Sequence, residues 1–133
     1  MVCLVLGDSI AVGTQQALMV QHLVCERQAR VGISSSKINE YPVIDKAGVV
    51  IISAGSNDDP KQDNSSMYEL IRQKYVGKRV IWILPRNRTI AHQVMKVVQK
   101  YKDSFVDGLA YKSLDNTHPT NYIGMAKAVK AKI

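Results

Sequence analysis

Val2-Cys3-Leu4-Val5-Leu6-Gly7-Asp8-Ser9 opens the chain with an unbroken apolar run that ends in a glycine followed by two polar side chains. Such a run reads as a strand buried on both faces, because a strand with one wet face alternates apolar and polar residues. Val49 to Ile52 and Val80 to Leu84 repeat the pattern with strong β-branched content. Strands of this kind belong to parallel sheets covered by helices on both sides.

Working outward, residues 12–24 place Ala17, Leu18, Val20 and Val24 on one helical stripe. Ser65 to Tyr75 and Thr89 to Lys102 show the same periodicity, with Thr89 as a candidate cap. A last helix is predicted over Thr120 to Lys132, whose basic end suits the helix dipole. Arg27 to Val31 and Phe105 to Leu109 are weaker strand candidates, and Ser56 to Ser65 is the longest predicted loop. The order βαβαβαβαβα predicts a three-layer α/β/α sandwich. Right-handed crossovers then gather the loops that follow the strands on one rim, where open α/β sheets bind ligands.

A chain of 133 residues, 46% apolar and 22% charged, suits one globular domain spanning 1–133 that needs neither disulfide nor structural metal. No apolar run approaches the roughly 20 residues that span a bilayer, and Met1 to Gly7 has neither basic flank nor cleavage site. The chain is therefore expected to be soluble, without a membrane partner. Cys3 and Cys25 match no zinc or redox spacing and read as free core thiols; a disulfide is the alternative if their strands are parallel neighbours. His22 and His92 lack companions at metal-ligand spacing.

Charge is lopsided, net −2 over residues 1–66 and +9 over 67–133. Lys96, Lys100, Lys127 and Lys130 fall at helical spacing and read as solvated faces. The alternative is attraction of an anionic partner such as an acidic polysaccharide or nucleic acid. Aromatic residues are few and scattered, which argues against a nucleic-acid stacking surface. The stretch Gly7 to Gly13 has neither a G-x-G-x-x-G pattern nor a P-loop lysine, so no phosphate cradle is indicated.

Three rim segments carry candidate chemistry. Ser9 falls at the predicted entrance to the first helix, where unpaired N–H groups can stabilise an oxyanion; the competing reading is a helix cap. Asp115 and His118 lie three residues apart, a spacing that lets a carboxylate hold an imidazole and leave Nε2 free to take a serine proton. The competing reading is a turn cap beside a surface histidine. Asn57, after Gly55, can aim its amide across the rim or close an Asx-turn. Asp58 and Asp59 read as loop supports that accept backbone N–H bonds.

Taken together and in order, these segments resemble the blocks of the SGNH, or GDSL-type, hydrolase family. Gly7-Asp8-Ser9 resembles the first block and Gly32 in Arg30-Val31-Gly32-Ile33-Ser34 the second. Gly55-x-Asn57-Asp58 resembles the third, and Asp115-x-x-His118-Pro119, continued by Thr120 and Gly124, the last. The resemblance spans nearly the whole chain, with Ile10 where the family name has leucine. It implies a flavodoxin-like sheet of order 2-1-3-4-5, with Ser9 as nucleophile, His118 as base and Asp115 as its orienting partner. The oxyanion hole would be the Ser9 and Gly32 backbone N–H groups with the Asn57 amide.

The chain is shorter than typical members and has no room for a lid, which favours a shallow acyl pocket and short acyl groups, acetyl above all. The expected function is hydrolysis of short-chain esters through an acyl-serine intermediate. The substrate is a small ester or an acylated carbohydrate, and neither cofactor nor metal is needed. A non-catalytic glycan-binding module on the same fold is the alternative. Arg86 and Tyr111 are further candidates for substrate contact or for plain surface roles.

Overall fold

The computed structural model describes residues 2–133. Strands β1 (Val2–Gly7), β2 (Glu26–Ala29), β3 (Ala47–Ser53), β4 (Arg79–Leu84) and β5 (Ser104–Asp107) form one parallel sheet of order β2-β1-β3-β4-β5. Helices α1 (Ser9–Val20), α2 (Ser35–Ile38), α3 (Ser65–Gln73), α4 (Arg88–Tyr101) and α5 (Ile123–Ala131) cover it. This is the expected three-layer α/β/α sandwich.

The continuous apolar runs are explained by burial on both faces. In β1, Leu4 and Leu6 enter one core with Val50, Ile52, Trp82, Ile71 and Val94. Cys3 and Val5 enter the other, with Ile51, Ile83, Leu18, Met125 and Val129. Alternate residues thus feed opposite cores, so neither phase of the strand is free to be polar. Fully burying each such aliphatic side chain stabilises the fold by about 1.5–3 kcal/mol.

Several local expectations shift. The first helix begins and ends earlier than 12–24, because Asp8 caps its start and His22 takes a left-handed φ of 66° just beyond its end. Its buried face becomes Ile10, Ala11, Thr14 and Leu18; of the predicted stripe, Val20 and Val24 are exposed. The cap of α4 is Asn87, whose side chain accepts from Ile90 N–H, rather than Thr89. Short α2 carries too little periodicity to read from sequence. The longest connection between elements is the stretch 111–122, ahead of the predicted Ser56 to Ser65.

Cys3 and Cys25 form a disulfide, which corrects the expectation of free thiols. Parallel pairing of β1 with β2 sets Leu4 beside Glu26, so the preceding cysteines stand with their Cα atoms 4.6 Å apart. Lys96, Lys100, Lys127 and Lys130 are exposed, as a solvated-face reading requires. Among the described residues no helix is long and apolar enough to cross a membrane.

Candidate active site

The site is assembled on the rim reached by the C-terminal ends of the strands. Gly7 ends β1 with φ +150°, and a Cβ there would lie 1.9 Å from the Ser53 carbonyl oxygen, so only glycine fits. The next residue is held on all sides. Asp8 N–H donates to Ser53 O at 3.2 Å. Its Oδ1 accepts from Ile10 N–H at 3.1 Å and from Ser53 Oγ at 3.0 Å. Asp8 therefore takes the cap role that the sequence left open for Ser9. Relieved of capping, Ser9 is the first residue of α1, and its N–H meets no acceptor among the described residues.

Across the rim, Ser9 Oγ lies 2.7 Å from His118 Nε2. On the other side of the ring, His118 Nδ1 lies 2.8 Å from Asp115 Oδ2. With the ring proton on Nδ1 and donated to Asp115, Nε2 is the acceptor facing the serine hydroxyl. Asp115 is oriented in turn through Oδ1, which accepts from Thr117 N–H at 2.9 Å, His118 N–H at 2.8 Å and Ser113 Oγ at 3.1 Å. The His118 N–H and ring, followed by the Thr117 N–H, hold the Asp115 carboxyl well below the usual carboxylate range. It is therefore ionised at physiological pH.

Gly32 lies in the turn after β2 at φ +80°, a left-handed conformation suited to glycine. Its N–H finds no acceptor among the described residues. Asn57 donates its amide to Ile33 O at 3.0 Å, and the neighbouring Asp58 accepts from Ser35 N–H at 2.9 Å. The loops after β2 and β3 are thus stitched to each other. Asp58 Oδ2 also accepts from the buried Tyr68 hydroxyl at 2.6 Å. Asp59 keeps a local role, accepting from Lys61 N–H at 2.9 Å. One Asn57 N–H is engaged in this stitching and its second is left over.

Two residues take functions that sequence reasoning did not assign. Arg86, after β4, donates to Tyr111 O at 2.7 Å, Gly108 O at 3.3 Å and Asn116 Oδ1 at 3.2 Å. It ties the Asp115–His118 loop to the sheet, and Asn116 meets it from a left-handed φ of 60°. Tyr111 serves through its carbonyl, while its ring packs near Gly124. Asp8 is the second: wholly buried, with Oδ2 unpartnered among the described residues. Burial raises its carboxyl above the ordinary value against the opposing pull of its hydrogen bonds. A residue directly before a helix that starts at Ser9 was the available signal for its capping role.

A cleft of about 300 Å³ is lined by Asp115 together with Gly55, Ser56, Pro85, Arg86 and Ile90. Tyr122 packs its ring against Gly13 of α1. Burial, then the charges of Asp8 and Asp115, push its hydroxyl up to about 12. It is a neutral phenol at physiological pH.

No family model and no curated protein matches the chain. Among solved structures, it superposes on the C-terminal catalytic domain of Streptococcus pneumoniae peptidoglycan O-acetyltransferase A (OatA), which carries a methylsulfonyl adduct. The TM-score is 0.68 at 15% identity, covering 98% of this chain and 91% of that chain. The two chains share a fold.

Proposed function

We propose that the chain is a serine esterase of the SGNH type that releases short acyl groups, acetyl first among them, from acylated carbohydrate. The observation that carries this reading is the relay from Ser9 Oγ to His118 Nε2 at 2.7 Å and from His118 Nδ1 to Asp115 Oδ2 at 2.8 Å. Ser9 Oγ gives its proton to His118 Nε2 as it bonds to the ester carbonyl carbon, and the carbonyl π pair moves onto oxygen. The oxyanion is met by the free N–H groups of Ser9 and Gly32 and by the remaining amide N–H of Asn57. Collapse breaks the bond to the alcohol oxygen, which leaves with the His118 proton. Water then repeats the sequence: it loses a proton to His118, attacks the acyl-Ser9 carbonyl, and releases the acid and the serine hydroxyl.

The fold shared with a domain named for O-acetyl transfer supports acetyl chemistry, and it makes a second fate for the acyl group specific. A sugar hydroxyl occupying the place of water would turn the same steps into transfer. Hydrolysis of p-nitrophenyl acetate by the wild type and by Ser9→Ala tests the reading. A fall of at least about 10³-fold in the variant is expected, and equal rates would refute it. Including a soluble oligosaccharide in the assay separates the two fates by the share of acetyl that reappears on sugar.

A further inference from the structure

A second hollow, of about 270 Å³, is lined by residues that flank Gly32 on both sides in sequence and shares none of its lining with the cleft beside Asp115. Its walls are Arg30, Ile33, Lys37, Glu40, Tyr41 and Pro42. It adjoins the proposed nucleophile through the backbone, because Arg30 N–H donates to Gly7 O at 3.1 Å, two residues before Ser9. It adjoins the proposed oxyanion site through Ile33, whose carbonyl accepts from Asn57 at 3.0 Å.

The chemistry of the walls is uneven. Lys37 and Glu40 largely offset each other, being 3.4 Å apart. The Arg30 guanidinium is exposed and has no hydrogen-bond or ion-pair partner among the described residues. An unpaired guanidinium presents a planar fork that matches a carboxylate. Tyr41, Ile33 and Pro42 supply the largely apolar part of the lining. That part is fixed before any ligand arrives: Lys74 Nζ donates to the Asn39 carbonyl and, at 2.9 Å, to the Tyr41 carbonyl, and Ile44 N–H donates to Tyr75 Oη at 3.3 Å. A free fork and a tyrosine lining the same hollow suit a pyranose ring bearing a carboxylate.

We infer that this hollow holds the alcohol half of the substrate, that this half is an acidic sugar, and that Arg30 binds its carboxylate. The inference rests on the esterase reading and deepens it by naming the substrate class. It also places the attraction for an anionic partner on one side chain near the site rather than on the basic helix faces, whose lysines lie on α4 and α5.

The test compares O-acetylated polygalacturonate with the same polymer after methyl esterification of its carboxyl groups, which removes the charge and keeps the ring and acetyl groups. Wild type is expected to favour the free acid in kcat/KM by about tenfold at low salt, the range of one charge-assisted contact. The preference should shrink as salt rises and fall to within about twofold in Arg30→Gln, with Arg30→Lys intermediate. No preference in the wild type, or a preference that survives Arg30→Gln, would overturn the inference while leaving the esterase reading in place. Turnover is not needed for the second arm. Trigalacturonate added to Ser9→Ala should shift the amide resonances of Arg30 and Tyr41, and no shift at millimolar ligand would also overturn it. Binding there without Ser9-dependent acetyl release from any ester would instead refute the esterase reading.

Discussion

The two ends of the Ser9–His118 contact are held by different physics. Ser9 emerges from the sheet: Gly7 is pinned against Ser53, and Asp8 is wholly buried and bonded to both α1 and β3. His118 and Asp115 ride on the long 111–122 connection with side chains 41% and 57% exposed. They are fixed by short-range bonds within the loop, by Arg86, by a bridge between Ser113 and Pro119, and by Thr120 N–H on Lys112 O at 2.9 Å. The nucleophile end is thus part of the core, whereas the base end is a separately stapled loop. Substitutions at the buried supports of the first, Gly7 and Asp8, should move stability, and substitutions at the second should move rate.

The largest expected effect tests the loop side. His118→Ala should lower kcat on an acetyl ester by on the order of 10⁴-fold with thermal stability nearly unchanged, because a half-exposed ring supports little of the fold. A stability loss comparable to that of a core substitution would break the contrast. Gly7→Ala is the converse: the added Cβ meets a backbone carbonyl that cannot swing aside. A loss of at least about 3 kcal/mol in urea melts is expected. Near-wild-type melting would show the nucleophile end to be far more yielding than its contacts imply.

Arg86→Ala should be gentler, reducing kcat about tenfold with little change in KM, since it loosens the loop without touching the reacting atoms. Arg86→Lys should recover only part of this, one ammonium being unable to span the three acceptors. A rise in KM alone would recast Arg86 as a substrate contact rather than a positioning residue.

The smallest effect sharpens the comparison through pH. Burial raises the Asp8 carboxyl, so the folded chain retains a proton there at pH values where the unfolded chain has released it. Stability at that position therefore increases as pH falls from the raised folded value toward the ordinary one near 4. Asp115 behaves oppositely: its depressed value contributes stability above the ordinary range, which is lost as pH falls through the depressed value. Relative to Asp8→Asn, wild type should gain stability as pH falls from neutral toward the ordinary carboxylate value near 4. Relative to Asp115→Asn, it should lose stability on acidification below about pH 4. Difference free energies of the same sign would contradict the assignment of one buried and one exposed carboxylate.

Legibility followed the range of the forces involved. The three strong strands were plain because each is apolar through both phases, and their spacing implied the layered architecture. Ser9, Asp115 and His118 were named by segments only a few residues long, but each segment alone admitted a bland reading. Resolution of the cap ambiguity at Ser9 required knowing that Ser53 stands beside Asp8, a contact between residues 45 apart in sequence. The stripe on α1 was misplaced because Val20 and Val24 look as apolar as Leu18 in a one-dimensional pattern. The cysteine pairing depended on strand order, which local spacing does not contain.

By itself, then, the sequence determined the alternation of buried strands and helices and the identity of the polar residues delivered to the rim, since both depend on side-chain chemistry at short range. Tertiary structure alone decided which of those residues meet. It brought Ser9 to His118 across 109 positions, joined Cys3 to Cys25, and made Arg86 an anchor of the Asp115 loop. Such encounters arise from parallel strand order and backbone hydrogen bonding between distant segments, and no local pattern of residues encodes them.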